Sequence, residues 1–206
     1  MDDVVSIVFI AGIVGALGAL PGCAADLRPE AEVDAAGGDD GGPTGPVSTV
    51  RNPDGTYTTR LDATVEDGWR RLDLDRGDEV GADLGWDLAG QRFHLMLNGG
   101  VSGDDGVEVA AIAGTLESVT TVPASGWITD AADGDDPNTD PDYALEQGDG
   151  WYDYNPQTHV LTPKPIVWVV RTGEDHVIKL TIESYYDNAG TAATFRLRWA
   201  PLGGGS

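Results

Sequence analysis

The sequence predicts an all-β fold, an antiparallel sandwich of short strands, and three observations carry the prediction. Apolar residues recur with a period of two through most of the chain. Gly at 29 and Pro at 12 punctuate those runs at turn-forming positions. No segment joins a helical period to a cap over a helix-sized length. Hydrophobic residues make up 40% of the 206 residues, enough for one packed core.

The strands can be taken in order. Residues 69–74 (Trp-Arg-Arg-Leu-Asp-Leu), 86–97 and 107–112 each read as a strand. Residues 166–170 (Ile-Val-Trp-Val-Val) are apolar on both faces, the mark of a central strand covered on each side. Residues 177–183 place Ile178, Leu180 and Ile182 on one face and Lys179, Thr181 and Glu183 on the other. In residues 195–199, Phe195, Leu197 and Trp199 alternate with Arg196 and Arg198. Asn52-Pro53-Asp54-Gly55, Gly173-Glu174-Asp175 and Asp187-Asn188-Ala189-Gly190 have the composition of hairpin turns. No internal repeat of fixed period is present.

The segments outside this region have their own character. Residues 4–20 form a nearly unbroken apolar run that ends in Leu20-Pro21-Gly22-Cys23. An aliphatic residue, a small residue and a cysteine in that order resemble a bacterial lipobox, so residues 1–23 read as a signal peptide with Cys23 as the lipidated residue. Pro21 and the acidic start Met1-Asp2-Asp3 depart from that pattern, and the competing reading is an uncleaved transmembrane anchor. Either reading places the remainder outside the cytoplasm. Residues 24–47 are rich in Gly, Pro and Asp without periodicity, as expected of a disordered acidic linker. The all-β domain is expected over 48–202, followed by a Gly/Ser tail at 203–206. Cys23 is the only cysteine, which excludes an internal disulfide and a Cys-based metal centre.

The 35 acidic residues outnumber the 12 basic ones, for a formal net charge of −23. Such a surface repels nucleic acid and anionic lipid headgroups, so membrane contact is expected only through a lipid anchor. Catalytic templates fail. Ser102 is followed by Gly103-Asp104 where a nucleophile elbow needs any residue and then Gly. No Gly-rich loop has phosphate-cradle spacing, so the expectation is a binding protein rather than an enzyme. Asp136, Asn138 and Asp140 alternate as in the start of an EF-hand loop and are candidate calcium ligands, although Pro141 stands where that loop needs Gly and Gln147 where it needs Glu. His94 and Met96, two apart on one strand, would share a face and offer an imidazole and a thioether; Phe93, Leu95 and Leu97 would lie on the core side. His159 sits in a Pro-bounded loop, and His176 follows a turn and is expected at the surface.

Residues 86–103, Trp-Asp-Leu-Ala-Gly-Gln-Arg-Phe-His-Leu-Met-Leu-Asn-Gly-Gly-Val-Ser-Gly, resemble the signature segment of the HmuY family of bacterial outer-membrane lipoproteins. The similarity extends through Trp69, Leu72-Asp73-Leu74, Thr121-Val122-Pro123, Trp168 to Thr172, Ser184 to Asp187, and Gly190 to Phe195. It implies an all-β, lipid-anchored protein exported to the outer membrane or cell surface, with haem or another tetrapyrrole as ligand. The implied partners are haem, a haem-carrying protein and an outer-membrane receptor. The typical member holds haem iron between two histidines, one before the position matching Trp151 and one shortly after it. Here the first region has no histidine, and His159 lies three residues beyond Pro156, the nearest match to the second. The candidate haem ligands are therefore His159, His94 and Met96. The other reading is a surface lipoprotein of the same fold that binds a protein, a glycan or calcium.

Overall fold

The computed structural model describes residues 45–134 and 140–203. Twelve strands follow one another: β1 Val47–Arg51, β2 Tyr57–Asp62, β3 Arg70–Asp73, β4 Asp78–Glu79, β5 Leu88–Gln91 and β6 His94–Leu97 come first. After them come β7 Glu108–Ala113, β8 Tyr152–Asn155, β9 Val160–Pro163, β10 Ile166–Arg171, β11 Val177–Tyr186 and β12 Ala192–Pro201. Helix among the described residues is limited to the 3-10 turn Leu116–Ser118. The all-β expectation holds. Cys23, Asp136 and Asn138 lie outside the described residues.

Every ladder is antiparallel. Six strands form one sheet in the order β1-β2-β12-β11-β10-β7, and four form a second in the order β4-β3-β5-β6. The pair β8-β9 stands as a separate hairpin. The three turn motifs close β1–β2, β10–β11 and β11–β12, with Gly55 N donating to Asn52 O, Asp175 N to Thr172 O and Gly190 N to Asp187 O, each at 3.0 Å.

Period two translates directly into packing. Ile178, Leu180 and Ile182 of β11 and Phe195, Leu197 and Trp199 of β12 are buried in the main core. Leu72, Leu74, Leu88, Leu95 and Leu97 of the smaller sheet and its margins enter the same core, so the two sheets form a sandwich around one apolar interior. β10 is covered on both faces as expected. Trp168 and Val170 face that interior, whereas Val167 and Val169 join a second cluster with Leu116, Val119 and Leu202.

The segment 86–97 differs from the expected single strand. It folds back on itself, with Gln91 opposite His94 and Arg92-Phe93 forming a two-residue turn. Arg92 takes φ 54°, as the first position of a II′-type hairpin turn requires. Neither residue is a usual turn former, so the alternation ran through the turn unmarked. Phe93 consequently leaves the core face and is 36% exposed, while Leu95 and Leu97 are fully buried.

Buried carboxylates hold the second sheet. Asp87 accepts hydrogen bonds from Leu74 N at 2.8 Å and Gly173 N at 2.9 Å, joining the small sheet to the β10–β11 turn. Asp130 accepts from Leu97 N at 2.9 Å and Ala144 N at 2.8 Å. Burial, with Asp75 and Asp73 nearby adding repulsion, pushes the Asp87 carboxyl up to about 6. Burial also raises Asp130, with Glu146 contributing in the same direction.

Candidate functional site

The free end of the small sheet and the β8–β9 hairpin together carry a band of aromatic rings. Tyr152 and Tyr154 are two apart on β8 and share a face. In the ladder, Tyr154 pairs with Leu161 and Tyr152 with Pro163. Trp151, 1% exposed, anchors the hairpin in the core, stacking edge-on against Tyr152 at 4.6 Å and Phe195 at 5.3 Å. Its indole N–H donates to Phe93 O at 3.2 Å, which ties the hairpin to the Arg92-Phe93 turn. Phe93 then contacts Tyr152 at 6.3 Å on one side and His94 at 4.0 Å on the other. Tyr154 is 52% exposed and Val160 40%. Exposed aromatic and aliphatic groups side by side offer a ligand an apolar surface.

An imidazole stands at each end. His159 closes the β8–β9 turn with φ 59°, its N–H donating to Asn155 O at 2.8 Å. Asn155 Oδ1 accepts from Gln157 N and Thr158 N and sets the turn. His159 Nδ1 lies 2.5 Å from Tyr154 Oη. His94 Nδ1 lies 3.2 Å from both oxygens of Glu146, whose Oε1 also accepts from Leu95 N at 3.3 Å. With Nδ1–H donating to these oxygens, each ring would present the Nε2 lone pair, the arrangement in which histidine binds a metal.

The candidate ligands are therefore brought together unequally. His94 and His159 bound one aromatic band. Met96 points from the same strand as His94 but is 9% exposed, packed with Trp86, Ala89 and Tyr143. Tyr143 also contacts the His94 ring at 5.4 Å and so lies between that small cluster and the site. Burial, with Asp140, Glu146 and Asp130 adding to it, pushes the Tyr143 hydroxyl up to about 12. Asp140 is exposed and lines a cavity of about 170 Å³ with His94, Asp142, Tyr143 and Glu146. Tyr152, Tyr154 and Glu146 were not singled out from the sequence. The alternation Tyr152-Asp153-Tyr154 before the turn residues Asn155-Pro156 was the available signal for the two tyrosines. Nothing local marks Glu146, which meets His94 only through the fold.

Comparison with known proteins fits this architecture. The family model described as HmuY protein matches residues 65–199. No curated protein matches the chain. Among solved structures, the apo HmuY analog TFO of Tannerella forsythia aligns with a TM-score of 0.55 at 15% identity, covering 76% of this chain and 98% of that one. A candidate HmuY-like haem-binding protein from Bacteroides vulgatus aligns with a TM-score of 0.56 at 14% identity, covering 73% and 95%. A lipoprotein candidate from Bacteroides fragilis aligns at 0.53 with 20% identity, covering 73% and 91%. At these identities the structural likeness establishes the fold.

Proposed function

The chain belongs to the HmuY family, and from that premise we propose that it is an exported surface lipoprotein that binds haem or a related tetrapyrrole on the aromatic band. The observation that carries the reading is the run of contacting rings from His94 through Phe93 to Tyr152, with a second contacting pair, Tyr154 and His159, farther along the same hairpin. A flat macrocycle buries apolar area against such a band, and a histidine at its edge supplies an axial donor. His159 is the first choice of ligand because its ring is exposed on a hairpin tip and anchored through Nδ1 by Tyr154. His94 is the second. Met96 would need Tyr143 to move before its sulfur could reach the band. Arg92, beside Phe93 and exposed, is a cation that could meet a carboxylate of a haem, whereas Lys164 already bonds Asp149 O and pairs with Asp153. The reading is of a carrier, with no reaction assigned to it.

Two experiments test this reading. Ferric haem titrated into the purified protein should give a saturable, red-shifted Soret band. His159→Ala should change that spectrum most, His94→Ala less, and Met96→Ala least. A titration without saturation, or a spectrum that none of the three variants alters, would reject ligation by these residues. Anchoring is tested through Cys23. The Cys23→Ser variant should leave the membrane fraction and lose lipid labelling, whereas retention in membranes would show the apolar run to be the anchor.

A further inference from the structure

The signature-like segment 86–103 does not contact the aromatic band with its far end. Trp86, Asn98 and Gly103 instead line a cavity of about 470 Å³ that also takes in Arg71, Asp83 and Asp104, a volume in the range of small-molecule sites.

Two of its polar groups are incompletely satisfied. Asn98 is 5% exposed, and its Nδ2 donates to Asp105 Oδ2 at 2.7 Å. Its Oδ1 accepts no hydrogen bond among the described residues. Gly103 lets the chain pass close beside that oxygen, since a Cβ there would sit 2.0 Å from it. Arg71 is half-buried, with its guanidinium 5.5 Å from the centre of the Trp86 ring. Its one hydrogen bond among the described residues is a long one, from Nη1 to Trp69 O at 3.4 Å, and it makes no ion pair there. In a chain of net charge −23, a stacked guanidinium without a carboxylate partner has donors to spare.

The lining therefore combines free donors on Arg71 with free acceptors on Asn98, Asp83 and Asp104. An anion would meet the carboxylates, and a cation would meet Arg71. A neutral hydroxyl satisfies both, because it accepts from the guanidinium and donates to an amide or carboxylate oxygen. Exposed apolar side chains stand beside this polar interior, with Leu84 60% and Val101 56% exposed, suited to the C–H face of a ring. We propose that this cavity is a second binding site, and that it takes a neutral sugar, a hexose or N-acetylhexosamine unit of a glycan.

The test follows the Trp86 indole N–H resonance of the purified protein while free hexoses and N-acetylhexosamines are added at millimolar concentration, together with binding to an array of bacterial and host glycans. At least one sugar should shift that resonance saturably. Asp104→Asn, at an exposed position, and Arg71→Met, which keeps an apolar stem over Trp86, should each weaken binding about tenfold, without altering the haem titration. Absence of binding by every sugar would overturn the proposal. So would binding unaffected by Asp104→Asn, or a Trp86 shift produced by ammonium or phosphate ions but by no sugar.

Discussion

Ile178, Leu180 and Ile182 hold the six-stranded sheet to the core by apolar burial, whereas the four-stranded sheet adds to its buried leucines two carboxylates, Asp87 and Asp130, bonded to backbone N–H groups. The difference is one of length. Strands β11 and β12 span ten residues each and bury several large side chains apiece. Strands β3, β5 and β6 span four each, and β5 contributes Leu88, Ala89 and Gly90 to its interior face and neighbours. A buried carboxylate offers two acceptors at fixed geometry, which can fasten short strands in addition to their side-chain packing. The cost is desolvation of the charge. Apolar packing has little dependence on pH, and a desolvated carboxylate has a strong one.

The largest effect is expected in the large sheet. Phe195→Ala, at a fully buried position on β12, should lower stability by about 3–5 kcal/mol, by the same amount at acid and neutral pH in denaturant titrations. A loss that varied with pH would show that the two sheets are not separable in this way.

Asp87 should make the next largest difference, and its sign is opposite to that of an ordinary salt-bridged carboxylate. Because its folded value is raised from 3.8 to about 6, the folded protein binds the proton more tightly than the unfolded chain between those pH values. Stability from this group therefore falls as pH rises through that window, by on the order of 3 kcal/mol, and is flat above it. Asp87→Asn should abolish that slope in a series of melts from pH 3.8 to about 6. An unchanged slope would assign it to other groups. Asp130→Asn leaves one of two buried N–H groups without its acceptor and should cost about 1–2 kcal/mol at neutral pH. Hydrogen exchange at the Leu97 and Ala144 amides would localise the loss.

The smallest effect belongs to His176. It is exposed, and the Asp75 carboxylate 2.8 Å from its Nδ1 raises its pKa above 6.5. Its contribution should be fully present below pH 6.5 and disappear as pH rises through the raised value. His176→Ala should change the melting temperature slightly in acid and not at all in alkali.

The same contrast explains what could be read in advance. The strands of the large sheet declare themselves through unbroken alternation and Gly/Asp turns, and Phe195 to Trp199 is the clearest case. In the small sheet the alternation from Trp86 to Leu97 was correctly apolar, but the turn at Arg92-Phe93 has no turn residue to announce it. That turn exposes Phe93 and so creates one end of the aromatic band. His159 and His94 were visible as candidate ligands, yet their partners Tyr154 and Glu146 were not. A hydrogen bond between residues 94 and 146 is a product of the tertiary fold and leaves no trace in local spacing. The aspartates were numerous enough that composition could not distinguish the buried Asp87 and Asp130 from their solvated neighbours.

The order β1-β2-β12-β11-β10-β7 places the last described strand second from one edge-forming hairpin, with β2 pairing along Leu61 and Phe195 and along Tyr57 and Trp199. The large sheet thus has no way to seat its early hairpin until the far end of the domain has emerged. Pairing at such sequence separation is slow to form. For a chain threaded across a membrane from its N-terminus, as proposed here, the topology acts as a delay. The six-stranded sheet is completed only when β12 pairs between β2 and β11.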